Sequence, residues 1–202
     1  MESSSYADMF GKSGTAMLSS LALDGDDRLI LDTHIENLEC IKNSIDKAAS
    51  RIALRASENE SVKILMSMTG IDYQTALLLA SEIGDIARFP TPKKLVSWAG
   101  LCPDLNQSGE SRYYGRMKKK DCNKRVQSAM MEAANVAARH DGRMKGYYEM
   151  NAGKMHHNKA IAKVANKMIT IIWHMLTKKQ MYVQRKDGLY SRKVNRMRRI
   201  AK

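Results

Sequence analysis

The chain has 202 residues, enough for one ordinary domain or a smaller domain with a helical appendage, and too few for a large multidomain enzyme. Hydrophobic residues make up 44%, aromatics only 6%, and there are 15 methionines, a balance that favours helices over sheets. The net charge of +13 is confined to one stretch: residues 1–153 carry 20 Lys/Arg and 20 Asp/Glu, whereas residues 154–202 carry 14 Lys/Arg against the single acid Asp187. That stretch is a cationic arm attracted to polyanions. With no apolar anchor beside it, nucleic acid is favoured over a membrane, and a merely solvated tail is the plain alternative.

No apolar run approaches the length that crosses a bilayer, and the amino terminus lacks the charged, apolar and small-residue regions of a secretory signal. The expectation is a cytoplasmic protein. Cys40, Cys102 and Cys122 are odd in number and widely spaced, which suggests neither a disulfide framework nor a paired metal knuckle. His156 and His157 are adjacent, and neighbours on a helix point in different directions, so they chelate poorly. No metal site is expected.

In chain order, residues 1–28 are rich in Ser, Gly and Asp and read as a loosely ordered opening segment. Residues 29–58 carry Leu31, Ile35, Leu38, Ile41, Ile45, Ala49, Ile52 and Ala56 at spacings of three and four, which predicts one long linker helix with a coiled-coil-like stripe. The stripe either pairs with a partner helix or packs on its own domain. Residues 59–178 read as a helical domain. A short apolar helix stops at Gly70, Asp72 caps a second helix that Gly84 ends, and Thr91-Pro92 starts a third that Gly100 ends. Cys102 to Gly115, with Pro103 and Gly109, reads as an ordered loop. Two further helices follow, Asn123 to His140 with a small-residue face, and about Asn158 to Leu176. Residues 179–202 read as a basic tail that orders on a partner. The expected fold class is all-α.

Two motifs carry candidate chemistry. The helix, glycine turn and helix around Gly70 are similar to a helix-hairpin-helix, in which turn amides and a helix N-terminus face a phosphate, with Gly70, Ile71 and Thr75 as the contacts. Asp72 stands where a second turn glycine is usual; its carboxylate opposes a phosphate but suits an N-cap, so DNA contact and plain structural turn stay side by side. The second motif is Ser108-Gly109 in the polar loop, followed by Arg112, Arg116, Lys118, Lys119, Lys120, Lys124 and Arg125, seven bases against Asp121 over residues 112–125. Taken alone, a Ser-Gly pair in a loop is a turn more often than a nucleophile. Tyr113 and Tyr114 are rival nucleophiles, but the spaced Arg and His residues of a tyrosine recombinase are not evident.

Read together, Thr69-Gly70-Ile71-Asp72, Thr75-Ala76, Glu82-Ile83-Gly84-Asp85, Arg88-Phe89, Ala99-Gly100-Leu101-Cys102-Pro103 and Ser108-Gly109 resemble the insertion-sequence transposases related to Piv-type DNA invertases. That family joins a resolvase-like DEDD domain to a serine-bearing transposase domain. The resemblance covers the linker helix and the carboxy-terminal domain, and Phe10-Gly11-Lys12 resemble the stretch that follows the nuclease domain. It implies Ser108 as nucleophile on a DNA phosphodiester, bases at 112–125 that grip the backbone, and Gly100, Pro103, Gly109 and Gly115 as shapers of the loop. It also implies a composite site whose Mg2+ belongs to a complete DEDD domain, so that the chain alone does not cleave DNA. Nothing preceding Leu29 encodes that domain, so a truncated or remnant form is expected. The implied partners are DNA, a structured guide RNA, and a further copy or a full-length transposase. Two positions depart from the pattern: Cys122 stands where glycine is usual and Gln127 where arginine is usual. The other reading is a non-catalytic nucleic-acid-binding remnant that regulates or hetero-oligomerises with full-length transposase.

Overall fold

The spacing of apolar residues shapes nearly all of the chain. The computed structural model describes residues 9–108, 111–117 and 120–201, with the backbone alone at Lys12, 104–108 and 111–116. Two compact units are present, Met1–Ala49 and Ser50–Lys202.

In the first unit, α1 (Lys12–Ser19) precedes α2 (Gly25–Glu58), which continues past Ala49. Asp26 and Asp27 occupy the first turn of α2, where carboxylates complement the positive end of the helix dipole, and Arg28 pairs with Asp32 one turn on. The apolar stripe does not stay uniform. Leu31, Ile35 and Leu38 line an apolar groove of about 630 Å³ with Phe10, Thr15 and Leu18 of the preceding segment. Lys42 Nζ donates to the Phe10 carbonyl at 2.7 Å across the same groove. Ile41, at the edge of the same groove, and Ile45, a turn further, are each 60% exposed.

The second unit begins with the last turns of α2, whose Ala53 and Ala56 are buried. It continues with α3 (Glu60–Met66), α4 (Tyr73–Ile83), a 3-10 turn at Ile86–Arg88, α5 (Pro92–Trp98), strands β1 (Pro103–Ser108) and β2 (Ser111–Met117), α6 (Lys124–His140), α7 (Gly142–Ala152), α8 (His157–Lys178) and α9 (Asp187–Ile200). Short polar side chains set the helix starts. Asn59 accepts from the Val62 amide, Asp72 from Tyr73, Asn123 from Val126, and Asp141 from both Arg143 and Met144. At the centre, α8 buries Ile161, Val164, Ala165, Met168, Ile169 and Ile172 and packs against α3, α5, α6 and α7. The alanines of α6, Ala133, Ala134 and Ala137, are buried against this core, and their small size lets the backbones approach closely. The Trp173 indole N–H donates to the Phe89 carbonyl at 2.8 Å, and Phe89 packs against Trp98 in a tilted arrangement with ring centroids 5.2 Å apart, which fixes α5 against α8.

The all-α class holds, since helices supply the packed core of the described residues. Four segments differ from expectation. Within the opening segment, α1 forms and α2 starts at Gly25. The expected loop after Cys102 is an antiparallel hairpin paired from Pro103↔Met117 to Ser108↔Ser111. Its strand-forming residues, Leu105, Tyr113 and Tyr114, are diluted by polar neighbours, which hides the alternation. Helix α7 fills the stretch between the last two expected helices. The basic tail contains α9, whose Tyr190, Val194, Met197 and Ile200 recur at helical spacing among five cations and pack on the core. No helix among the described residues is long and apolar enough to cross a membrane.

Gly70 joins α3 to α4 at φ +90°, and a Cβ there would lie 2.4 Å from the Ala133 carbonyl oxygen of α6. Left-handed strain and a clash with immobile backbone act together, so Gly70→Ala should cost about 2–4 kcal/mol. Urea unfolding checks this, and a loss below about 1 kcal/mol would mean that the turn is not seated on α6.

Candidate nucleic-acid interface

The hairpin emerges from a root whose backbone is tied to several elements of the fold. Helix α5 ends in a Schellman motif: Gly100 adopts φ +69°, its amide donates to Ser97 O at 3.1 Å, and the Leu101 amide donates to Val96 O at 3.1 Å. Glycine is required there twice over, because a Cβ would also meet Gln127 Nε2 at 2.7 Å and Cys122 Sγ at 2.8 Å. The remaining carbonyls find partners across the fold. Asn123 N donates to Trp98 O at 2.8 Å, Gln127 Nε2 to Gly100 O at 2.6 Å, and Asn166 Nδ2 of α8 to Leu101 O at 2.8 Å. Cys122 and Gln127, the two departures from the resembled pattern, therefore close over the root.

From this root β1 runs from Pro103 to Ser108, where the backbone of Ser108 pairs with Ser111 beside the hairpin's end. At ~3.3 Å per residue, the register puts Ser108 roughly 17 Å from Pro103 along the strand. Arg112 pairs with Gln107, Tyr113 with Asn106 and Tyr114 with Leu105, and β2 carries Gly115 and Arg116 on towards Met117. Gly109, Lys118 and Lys119 lie outside the described residues, as do the side chains of Ser108, Arg112 and Arg116. The chain then returns past the exposed Lys120 to α6, where Lys124 and Arg125 are exposed.

This helix start is electrostatically unusual. The first turn of α6 holds no acid and two adjacent bases, so their charges add to the positive end of the helix dipole. Stability alone disfavours that arrangement; it is offset in part by Glu82 of α4, which accepts from Asn123 Nδ2 at 2.7 Å and stands 3.6 Å from Arg125. A positive potential is thus gathered where β2 re-enters the domain, a setting that suits an anion.

The Gly70 turn is built differently. Ile71 is fully buried, Thr75 half-buried, and the Asp72 carboxylate accepts from the Tyr73 amide at 2.8 Å while its second oxygen lies 3.6 Å from Arg196. From α9, the Lys193 ammonium donates to the carbonyls of Met66, Met68 and Ile71 at 3.0, 2.8 and 2.7 Å. Burial pushes this ammonium down to about 8, against the opposing pull of Asp72. Packing and capping therefore account for the conformation of the turn. Among the described residues no three His, Cys, Asp or Glu side chains converge.

Residues 62–149 match the Transposase IS116/IS110/IS902 family. The chain is also 30% identical over 123 residues to the insertion element IS110 uncharacterized 43.6 kDa protein of Streptomyces coelicolor, covering 60% of this chain and 30% of the relative. It is 27% identical over 131 residues to the transposase for insertion sequence element IS1111A of Coxiella burnetii, 63% of this chain and 36% of that protein. A third relative, the insertion element IS900 uncharacterized 42 kDa protein of Mycobacterium paratuberculosis, is 28% identical over 146 residues, 70% of this chain and 36% of its own length. The chain spans about a third of the length of these curated relatives. The transposase-family match takes in the Gly70 turn, the hairpin and all of α6, and it stops within α7.

Lys193 and α9 lie beyond that match, and sequence reasoning missed them. A lysine in a helix with five cations carries no signal of burial; only the flanking Tyr190, Val194 and Met197 mark the face it shares. The Lys193 interaction makes a pH prediction. An unfolded lysine titrates near 10.5 and the folded one near 8, so folding releases a proton between those values and the folded state gains stability as pH rises through that window. Below pH 8 both states are charged and the contribution is flat. The neutral amine still donates to two of the three carbonyls. Wild type should therefore gain stability relative to Lys193→Met between pH 8 and 10, with the Lys193 Nζ resonance titrating near 8; parallel stability curves and a midpoint near 10.5 would contradict this.

Proposed function

We propose that this chain is the carboxy-terminal, DNA-engaging part of a transposase acting in DNA transposition, with Ser108 as the nucleophile on a DNA phosphodiester. The observation that carries the reading is the hairpin itself: a strand ending at Ser108 rises from a root locked by Asn123, Gln127 and Asn166, beside a helix start with two exposed bases and the exposed Lys120 just before it. A rigid base under an extended arm positions a reacting hydroxyl against a duplex, and positioning is a large part of phosphoryl-transfer catalysis. In the proposed step, Ser108 Oγ forms a bond to phosphorus while a phosphorus–oxygen ester bond to deoxyribose breaks. The leaving sugar oxygen takes a proton, and the serine proton passes to a base supplied by another domain. Arg112, Arg116, Lys120, Lys124 and Arg125 offset the charge that builds on the phosphoryl oxygens.

A second reading, a nucleic-acid-binding remnant that joins full-length transposase, is favoured by one observation. Ile41 and Ile45 leave the α2 stripe uncovered along its middle turns. It gives a mixed oligomer and salt-sensitive binding without chemistry.

The discriminating experiment incubates the purified chain with terminal-inverted or junction DNA, alone and together with an intact relative, and looks for covalent protein–DNA adducts. The nucleophile reading expects adducts in the mixed reaction that contain this chain and that fall at least about tenfold in Ser108→Ala, the scale on which loss of a covalent nucleophile is felt. Adducts equally abundant in Ser108→Ala would remove the serine assignment.

A further inference from the structure

Helix α9 presents more than the Lys193 interaction. Its inner face docks through Lys193, Val194 and Met197, and one flank, Ser191, Asn195 and Arg198, faces a cleft of about 400 Å³ against Ser57 at the end of α2 and Lys63 of α3. Tyr190 closes one end, with the Arg185 guanidinium 5.3 Å from its ring centroid. The chemistry of the lining is one-sided. It holds two cations, Lys63 and Arg198, and three neutral groups able to donate a hydrogen bond, Tyr190, Ser191 and Asn195, while the Ser57 hydroxyl donates to the Leu54 carbonyl at 2.8 Å, and it holds no carboxylate. Of the acids near it in sequence, Glu58 pairs with Arg55 and Asp187 with Arg185, while Glu60 lines a separate cleft with Ser61 and Lys179. Among the described residues neither Lys63 nor Arg198 has an ion-pair partner, and both are exposed.

Like charges brought to one cleft repel unless an anion joins them, and a donor-rich lining without acceptor carboxylates selects an anion with several acceptor oxygens. We propose that the cleft between α3 and α9 is a second nucleic-acid contact, in which Lys63 and Arg198 hold a backbone phosphodiester and Tyr190, Ser191 and Asn195 donate to its oxygens. The cleft positions nucleic acid without reading sequence. It rests on the nucleic-acid reading given above but not on the hairpin or on Ser108. Lys193, pinned on three carbonyls, sets the depth at which α9 lies and so keeps Arg198 opposite Lys63.

The test uses the full chain and two probes of matched composition, a duplex DNA and a hairpin RNA, with affinity measured over a range of salt. Lys63→Gln/Arg198→Gln should weaken binding and lower the slope of log affinity against log salt by about two, one for each cation removed from the phosphate backbone, with thermal unfolding unchanged. Asn195→Asp, which sets a carboxylate in the cleft at nearly constant volume, should weaken binding as well. An effect seen with one probe alone identifies whose phosphodiester the cleft holds. Wild-type affinity and slope in both variants overturn the cleft; if Arg112→Gln/Arg116→Gln weakens binding in that same experiment, the hairpin reading survives without it. Weakened cleft variants beside unaffected hairpin variants support the cleft and remove the hairpin. A wild-type chain that binds neither probe overturns both.

Discussion

Three carbonyls in four residues, those of Trp98, Gly100 and Leu101, accept hydrogen bonds from Asn123, Gln127 and Asn166, and the rest of the candidate site depends on this junction. A hairpin of polar composition has little apolar surface with which to hold itself against a domain, and an isolated two-stranded hairpin is marginal in water. Its direction must be imposed from below. Here the start of α6 donates two hydrogen bonds and the central helix α8 donates one, all to the stretch of backbone that leaves α5. Gly100 makes the stretch possible, since only a residue without Cβ leaves room for Gln127 and Cys122 to close over it.

The Gly70 turn and α9 show the same economy applied to a second loop. A bend between two short helices leaves amides and carbonyls without helical partners. Asp72 takes an amide on one side and Lys193 takes three carbonyls on the other, while the glycine itself lies on the α6 backbone. A helix otherwise dominated by charge is thereby attached to the domain, and its remaining cations are held in register on an exposed face. The cost is a partly buried ammonium. It is offset because that ammonium meets three strong acceptors rather than apolar side chains.

Much of this architecture was legible from residue spacing. The stripe on α2, the cap at Asp72, the Thr91-Pro92 start of α5 and the apolar face of α8 all follow from local patterns, because a helix repeats its environment every three to four residues and a cap is a property of adjacent atoms. The parts that were not legible are non-local. Nothing near Lys193 says that it will meet carbonyls more than 120 residues away, and nothing near Gln127 announces a bond to Gly100. The hairpin sits between these cases: its strands are short and mostly polar, so the Gly and Pro around it read as a loop. The serine of the candidate site came from the family resemblance and its bases from their density along the chain, whereas the platform beneath them came from the fold.

Hydrogen exchange of the full chain, with and without duplex DNA, tests most directly the claim that a locked root presents the hairpin to nucleic acid. The account predicts that the Asn123 and Leu101 amides exchange slowly in both states, at rates set by global unfolding, and that DNA slows exchange along 103–108 and 111–117. A root that exchanges rapidly, or a hairpin whose exchange DNA leaves unchanged while other surfaces become protected, would contradict it.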